Sequence, residues 1–188
     1  MRHLCRCVFA ALLVFASLPA LCAQLQPGAP AAPTTLEDRR KALNDLFHEY
    51  WEAYLARNPE FASSIGDTRF NDKVTDNSVK AYNAWLENEQ NWMLRLAAIA
   101  PDGLNDQEKL SRELLLRIFT DEQEEAEFKP WEMPVTQMDG IQTEYPQLVA
   151  LLSFKSAKDY DDWIARLHAI PAAFAQVTRL PQVLLPVR

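Results

Sequence analysis

The only stretch whose letters suggest metal chemistry is His48-Glu49-Tyr50-Trp51-Glu52. A zinc-peptidase helix needs a second His four residues after the first. That spacing puts two imidazoles on the ion, with a Glu between them as base. Here the second position holds Glu52, so His48 and Glu52 read as an i,i+4 surface pair. His168 supplies no matching pattern. The carboxylates Asp67, Asp72 and Asp76 fit no calcium loop, which wants ligands on alternate residues and a closing Glu. They read instead as Asx-type turns and a helix cap, with Arg69 placed to pair with one of them. No Gly-rich phosphate loop and no nucleophile elbow is present. Carboxylate pairs are abundant, but no spacing marks one as buried. The residues alone therefore assign no catalytic, cofactor-binding or metal-ligating position. One segment invites a binding role. PVTQMDGIQTEYPQL sets Gln137, Asp139, Gln142 and Glu144 among apolar residues, with Gly140 marking a turn. Gln137, Asp139, Gly140 and Gln142 are the candidate substrate contacts, since long irregular segments in compact domains often carry function. Simple packing is the plainer reading of the same residues.

These residues need elements to position them. Thr35 is a good N-cap, with Glu37 and Asp38 in the first turn. Leu43, Leu46, Phe47, Tyr50, Trp51 and Tyr54 then follow 3-4 spacing and predict one buried face, ended by Asn58-Pro59. Glu60 to Ser64 predicts a short helical turn. A second long helix is expected from Asn77 or Ser78 to Ala100, with Val79, Tyr82, Trp85, Leu86, Trp92, Met93, Leu96 and Ile99 inward. Pro101-Asp102-Gly103 is a turn, and Asn105 with Glu108 reads as a capping box opening a third helix. The short connection predicts an antiparallel hairpin. Leu110, Leu114 and Ile118 are expected inward, widened by Leu115 and Phe119. The acidic run Asp121 to Glu127 reads as a solvated face. Pro130, Pro134 and Pro146 predict an irregular stretch. Gln147 to Phe154 is then a short helix, and Ser156 or Lys158-Asp159 opens another. Tyr160, Trp163, Ile164, Leu167 and Ile170 line its face. Pro171 is expected to interrupt that helix before Ala172 to Leu180.

Composition bounds the rest. The chain has 188 residues, 48% hydrophobic, with five Trp, nine Phe and five Tyr, enough for one domain with a core. The net charge of −7 argues against a nucleic-acid partner. Arg2, His3 and Arg6 precede the apolar run Val8 to Leu18, which has the length of a signal-peptide core and is too short to span a bilayer. Residues 1–23 are therefore expected to be an export signal cleaved after Ala23, or alternatively after Ala20. Lipid anchoring at Cys22 is a less favoured alternative, because Leu21 precedes it. Cys5, Cys7 and Cys22 all lie in this leader, so the mature domain is expected to carry no disulfide and no membrane span. Residues 24–34 form a Pro/Ala linker, and residues 35–188 form the helical domain. Leu180 to Arg188 is apolar and interrupted by Pro181 and Pro186, which suggests a missing partner surface or continuation.

Several segments together resemble the N-terminal part of the bacterial "domain of unknown function 885" family. They are LNDLFHEYWEAYLARNPEFASSIGDTRFNDKVTD, VTQMDGIQ with the following PQLVALL, and KDYDDWIARLHAIP. The resemblance runs in order from Leu36 to Gln176, with His48 standing where an Asp or Asn is expected. It implies an all-α fold: a multi-helix antiparallel bundle with one irregular Pro-rich loop, forming part of a larger helical fold. Family members are longer, often exported, and look like zinc metallopeptidases whose metal segment, of the His-Glu-x-x-Pro-Gly-His-His type, lies far towards the C-terminus. This chain has no such segment. The resemblance therefore implies one wall of a peptide-binding channel, inactive by itself, with zinc and a peptide substrate belonging to full-length relatives. The ending after Gln176 would suit a truncated or frame-shifted product. A stand-alone periplasmic helical binding module is the alternative.

Overall fold

A computed structural model of the chain describes residues 35–138 and 140–179. The leader, the linker, Asp139 and the segment 180–188 lie outside the described residues. Those that are described form helices α1 (Leu36–Arg57), α2 (Pro59–Ser64), α3 (Val79–Ala97), α4 (Asp106–Ala126), α5 (Ile141–Leu148) and α6 (Ala157–Arg179). Short 3-10 turns occur at Thr68–Phe70 and Pro130–Glu132. No strand occurs among the described residues, so the fold class is all-α. None of the described helices is long and apolar enough to cross a membrane.

Local chemistry sets the helix ends. Thr35 Oγ1 accepts from Asp38 N at 3.1 Å while the Asp38 carboxylate accepts from Thr35 N, closing a capping box. Asn105 and Glu108 form a second box at 2.8 and 2.7 Å. Ser78 caps α3 through Ala81 N. Pro59 sits at the first position of α2, where its missing N–H costs nothing.

The turn at Gly103 (φ +78) returns the chain, and α3 and α4 pack as an antiparallel hairpin. Arg112 Nε donates to Ile99 O near the turn, and Gln123 Nε2 donates to Leu86 O at the far end. Leu43 and Leu46 of α1 join Trp85, Trp92 and Leu96 of α3 and Leu115 and Phe119 of α4 in the main core. Tyr50 meets Phe119 and Trp92 edge-on there. A second cluster joins Ile141, Tyr145 and Leu148 of α5 to Val177 of α6.

Five expectations need correction. Leu115 and Phe119 are the inward residues of α4, while Leu110, Leu114 and Ile118 are 49%, 54% and 42% exposed. The helix carries apolar residues on two faces, and the Arg40–Glu108 and Arg112–Ile99 contacts select its rotation. Trp51 is exposed as well, stacked on Tyr54 and edge-on to Phe61. The helix placed at 147–154 begins earlier, at Ile141, and contains Pro146. The 3-4 spacing of Ile141, Tyr145 and Leu148 buries enough surface to outweigh one lost backbone bond. Pro171 does not break α6, because Arg166 upstream and Ala173 and Val177 downstream are all buried and hold the helix in line. Its rotation turns Tyr160, Ile164 and Leu167 to the exterior.

Candidate functional site

Both acids of the suspected metal-like stretch are held by arginines, while His48 is exposed. Glu49 accepts from Arg95 at 2.7 and 2.8 Å and from Trp92 Nε1 at 2.8 Å. The Arg95 guanidinium holds the Glu49 carboxyl below its ordinary range. Glu52, at the position of the missing second His, accepts from Arg69 at 2.6 Å. Arg69 also pairs with Asp67, which caps the 3-10 turn through Arg69 N. Asp76 accepts from Ser78 N in an Asx-type turn and from Gln176 Nε2. Among the described residues no three His, Cys, Asp or Glu side chains gather as metal ligands.

The segments quoted for the family resemblance meet instead at a buried polar hub. Arg166 of α6 is fully buried. Its Nε donates to Lys73 O at 2.6 Å, and its Nη2 donates to Phe70 O at 2.7 Å and Ser63 Oγ at 2.8 Å. Burial holds its pKa below that of a free guanidinium, and Glu60 opposes the shift. Glu60 of α2 accepts from Thr75 N at 3.0 Å, from the Thr75 hydroxyl and from the Tyr145 hydroxyl at 3.2 Å. Burial, reinforced by Glu60, raises the Tyr145 phenol. With those donors Glu60 is a structural acceptor, although it borders a pocket of about 220 Å³ with Glu144 and Gln147. The hub ties α2 and the 66–76 loop to α5 and α6.

Beside this hub lies a groove of about 860 Å³, within the range of small-molecule and peptide-side-chain sites. One wall is the irregular segment after α4, with Phe128, Met133 and Val135 presenting apolar surface. The opposite wall is the last part of α6, at Phe174, Val177 and Thr178, with Ile141 and Gln142 between them. Lys129, in the left-handed region at φ 50, swings the chain out of α4 into Pro130. Its Nζ lies 3.5 Å from Glu132 Oε1 at the groove. Trp131 anchors the 3-10 turn against Tyr82 of α3, with ring centroids 4.7 Å apart.

The candidate contacts divide. Gln142 lines the groove and donates through Nε2 to Thr136 O at 3.0 Å, bracing the wall from inside. Gly140 stands behind the wall. At φ +134 a Cβ there would meet Pro134 O at 3.1 Å and Val135 Cα at 3.2 Å, as well as Gln142 Oε1. Glycine is needed for the fold-back. Gln137 is exposed and does not line the groove, and Asp139 lies outside the described residues. The far wall on α6 was absent from the sequence reading. A Phe174-Val177-Thr178 face could have been found from helical spacing alone.

Another buried group was missed altogether. Glu89 of α3 is 0% exposed, and Gln123 Nε2 donates to it at 3.2 Å. Burial, then the neighbouring Glu122, pushes its pKa up to about 9.

A family model described as "Bacterial protein of unknown function (DUF885)" matches residues 59–182. No curated protein matches the chain, and no solved structure does.

Proposed function

Because the chain belongs to the DUF885 family of bacterial proteins, we propose that it supplies the peptide-holding wall of an exported, zinc-peptidase-like protein. The observation that carries this reading is the groove between the 128–135 segment and α6. Its apolar residues Phe128, Val135 and Phe174 suit the side chains of an extended peptide. Thr178 Oγ1, which donates to Phe174 O, can still accept from a peptide N–H. The reading assigns these residues peptide binding, the role that the groove supports. Zinc, in this reading, belongs to a segment that full-length relatives carry and these residues do not.

Two exposed apolar stripes support a place within a larger helical fold. Leu110, Leu114 and Ile118 form one on α4, and Tyr160, Ile164 and Leu167 form the other on α6. Export is part of the same proposal and rests on the basic start and apolar run of residues 1–18.

Calorimetric titration with extended peptides bearing apolar side chains tests the groove. Val135 is exposed and lies on the groove wall. Val135→Glu should weaken binding by about tenfold or more, because it sets a carboxylate against apolar ligand surface. The melting temperature should stay within about 2 °C, as an exposed substitution contributes little to stability. Equal affinity in the variant and the parent would refute the site.

A further inference from the structure

The buried carboxyl pair at the α3–α4 interface connects to the groove wall. Glu89 is fully buried, and its Oε1 has no hydrogen-bond partner among the described residues. Glu122 of α4 adjoins Gln123, which donates to the other Glu89 oxygen, and its carboxyl joins burial in pushing the Glu89 pKa up. Glu122 Oε2 also accepts from Trp85 Nε1 at 3.2 Å. Two carboxyl groups facing each other, one with an unsatisfied oxygen, need a proton between them. The groups around them come from each packed helix. From α1 come Arg57, Tyr50 and Tyr54; from α3, Tyr82; and from α4, Gln123 and Glu125.

Arg57 is the cation in this cluster. Its guanidinium lies 4.6 Å from the Trp85 ring centroid and 5.6 Å from that of Tyr82. Its Nη1 is buried without a hydrogen-bond partner among the described residues. With one proton on the pair, a single negative charge from it acts on Arg57. Without it, a second buried negative charge appears, and Arg57 has a free N–H to offer. Arg57 bridges Trp85, which donates to Glu122, and Tyr82, whose ring packs in turn against Trp131.

We propose that one proton shared between Glu89 and Glu122 holds the groove wall at Trp131 in place, and that its loss at alkaline pH releases that wall through Arg57 and Tyr82. The sign follows from the raised acid. The fold keeps the proton well above the pH at which an unfolded Glu would lose it, and gives it up as pH rises through about 9. The device concerns the position of Trp131 and not what the groove holds, so it stands apart from the peptide reading.

Fluorine NMR of the full chain labelled with fluorotryptophan tests it, with the Trp131 resonance assigned from Trp131→Phe. Over about pH 6 to 9.5, the Trp131 resonance should move with a midpoint near 9. Trp163, in the α5–α6 cluster, should not move. Glu89→Gln should leave Trp131 fixed over the same range. A Trp131 resonance that is flat in the parent, or that still titrates in Glu89→Gln, overturns the proposal. So does a shift of every Trp together, which would report general unfolding. Should Glu89→Gln fail to fold, Glu122→Gln removes the like charge and should lower the midpoint by about one pH unit or more. An unmoved midpoint would overturn the proposal equally.

Discussion

At the scale of single residues, burial decides which polar groups matter. Arg166 donates to backbone carbonyls of Lys73, Phe70 and Pro59 and to Ser63. Those acceptors join α2 and the 66–76 loop to α6, and the guanidinium is the donor that bridges them. Arg166→Leu would remove that bridge and leave Lys73 O without its donor, and a loss of about 3 kcal/mol is expected from chemical denaturation. A loss below about 1 kcal/mol would show that water replaces the guanidinium freely. The sequence announced neither Arg166 nor Glu89. Each sits in a helix among other charged residues, and spacing does not distinguish a buried charge from a solvated one. Gly140 was legible, because an Asp-Gly pair in a Pro-rich stretch marks a turn whatever surrounds it.

At the scale of elements, the caps and boundaries could be read and the rotations could not. Thr35, Ser78 and Asn105 announce helix starts by local hydrogen-bond chemistry that needs no tertiary partner. The rotation of α4 depends on distant residues. Leu110, Leu114 and Ile118 make as good a stripe as Leu115 and Phe119, and the choice rests on what α1 and α3 present to it. Stability measurements on paired variants check that assignment. Leu115→Ala should cost about 2–5 kcal/mol as a buried truncation. Leu114→Gln should change stability by less than about 0.5 kcal/mol. The reverse order would mean that the helix is turned the other way. Pro171 shows the same limit, since a proline's local penalty of about 3 kcal/mol is outweighed when the helix is held on both sides.

At the scale of the whole molecule, the resemblance segments share a physical reason for occurring together. The NPEFASSIGD stretch supplies Glu60 and Ser63, and α5 supplies Tyr145 directly after the Gly140 loop. The KDYDDWIARLHAIP helix supplies Arg166. They build a scaffold that ties α2 and the 66–76 loop to α5 and α6. The candidate groove was half legible. Its proline-rich wall was suspected from composition, while the α6 wall comes from more than thirty residues further along and only folding brings it near. Photocrosslinking tests the central claim most directly, using an extended apolar peptide that carries a benzophenone and mapping the attachment by mass spectrometry. The account predicts attachment within 128–135 and 174–178, competed by unlabelled peptide and lost in Val135→Glu. Attachment centred on the exposed α4 stripe at Leu110, Leu114 and Ile118, unaffected by Val135→Glu, would contradict it.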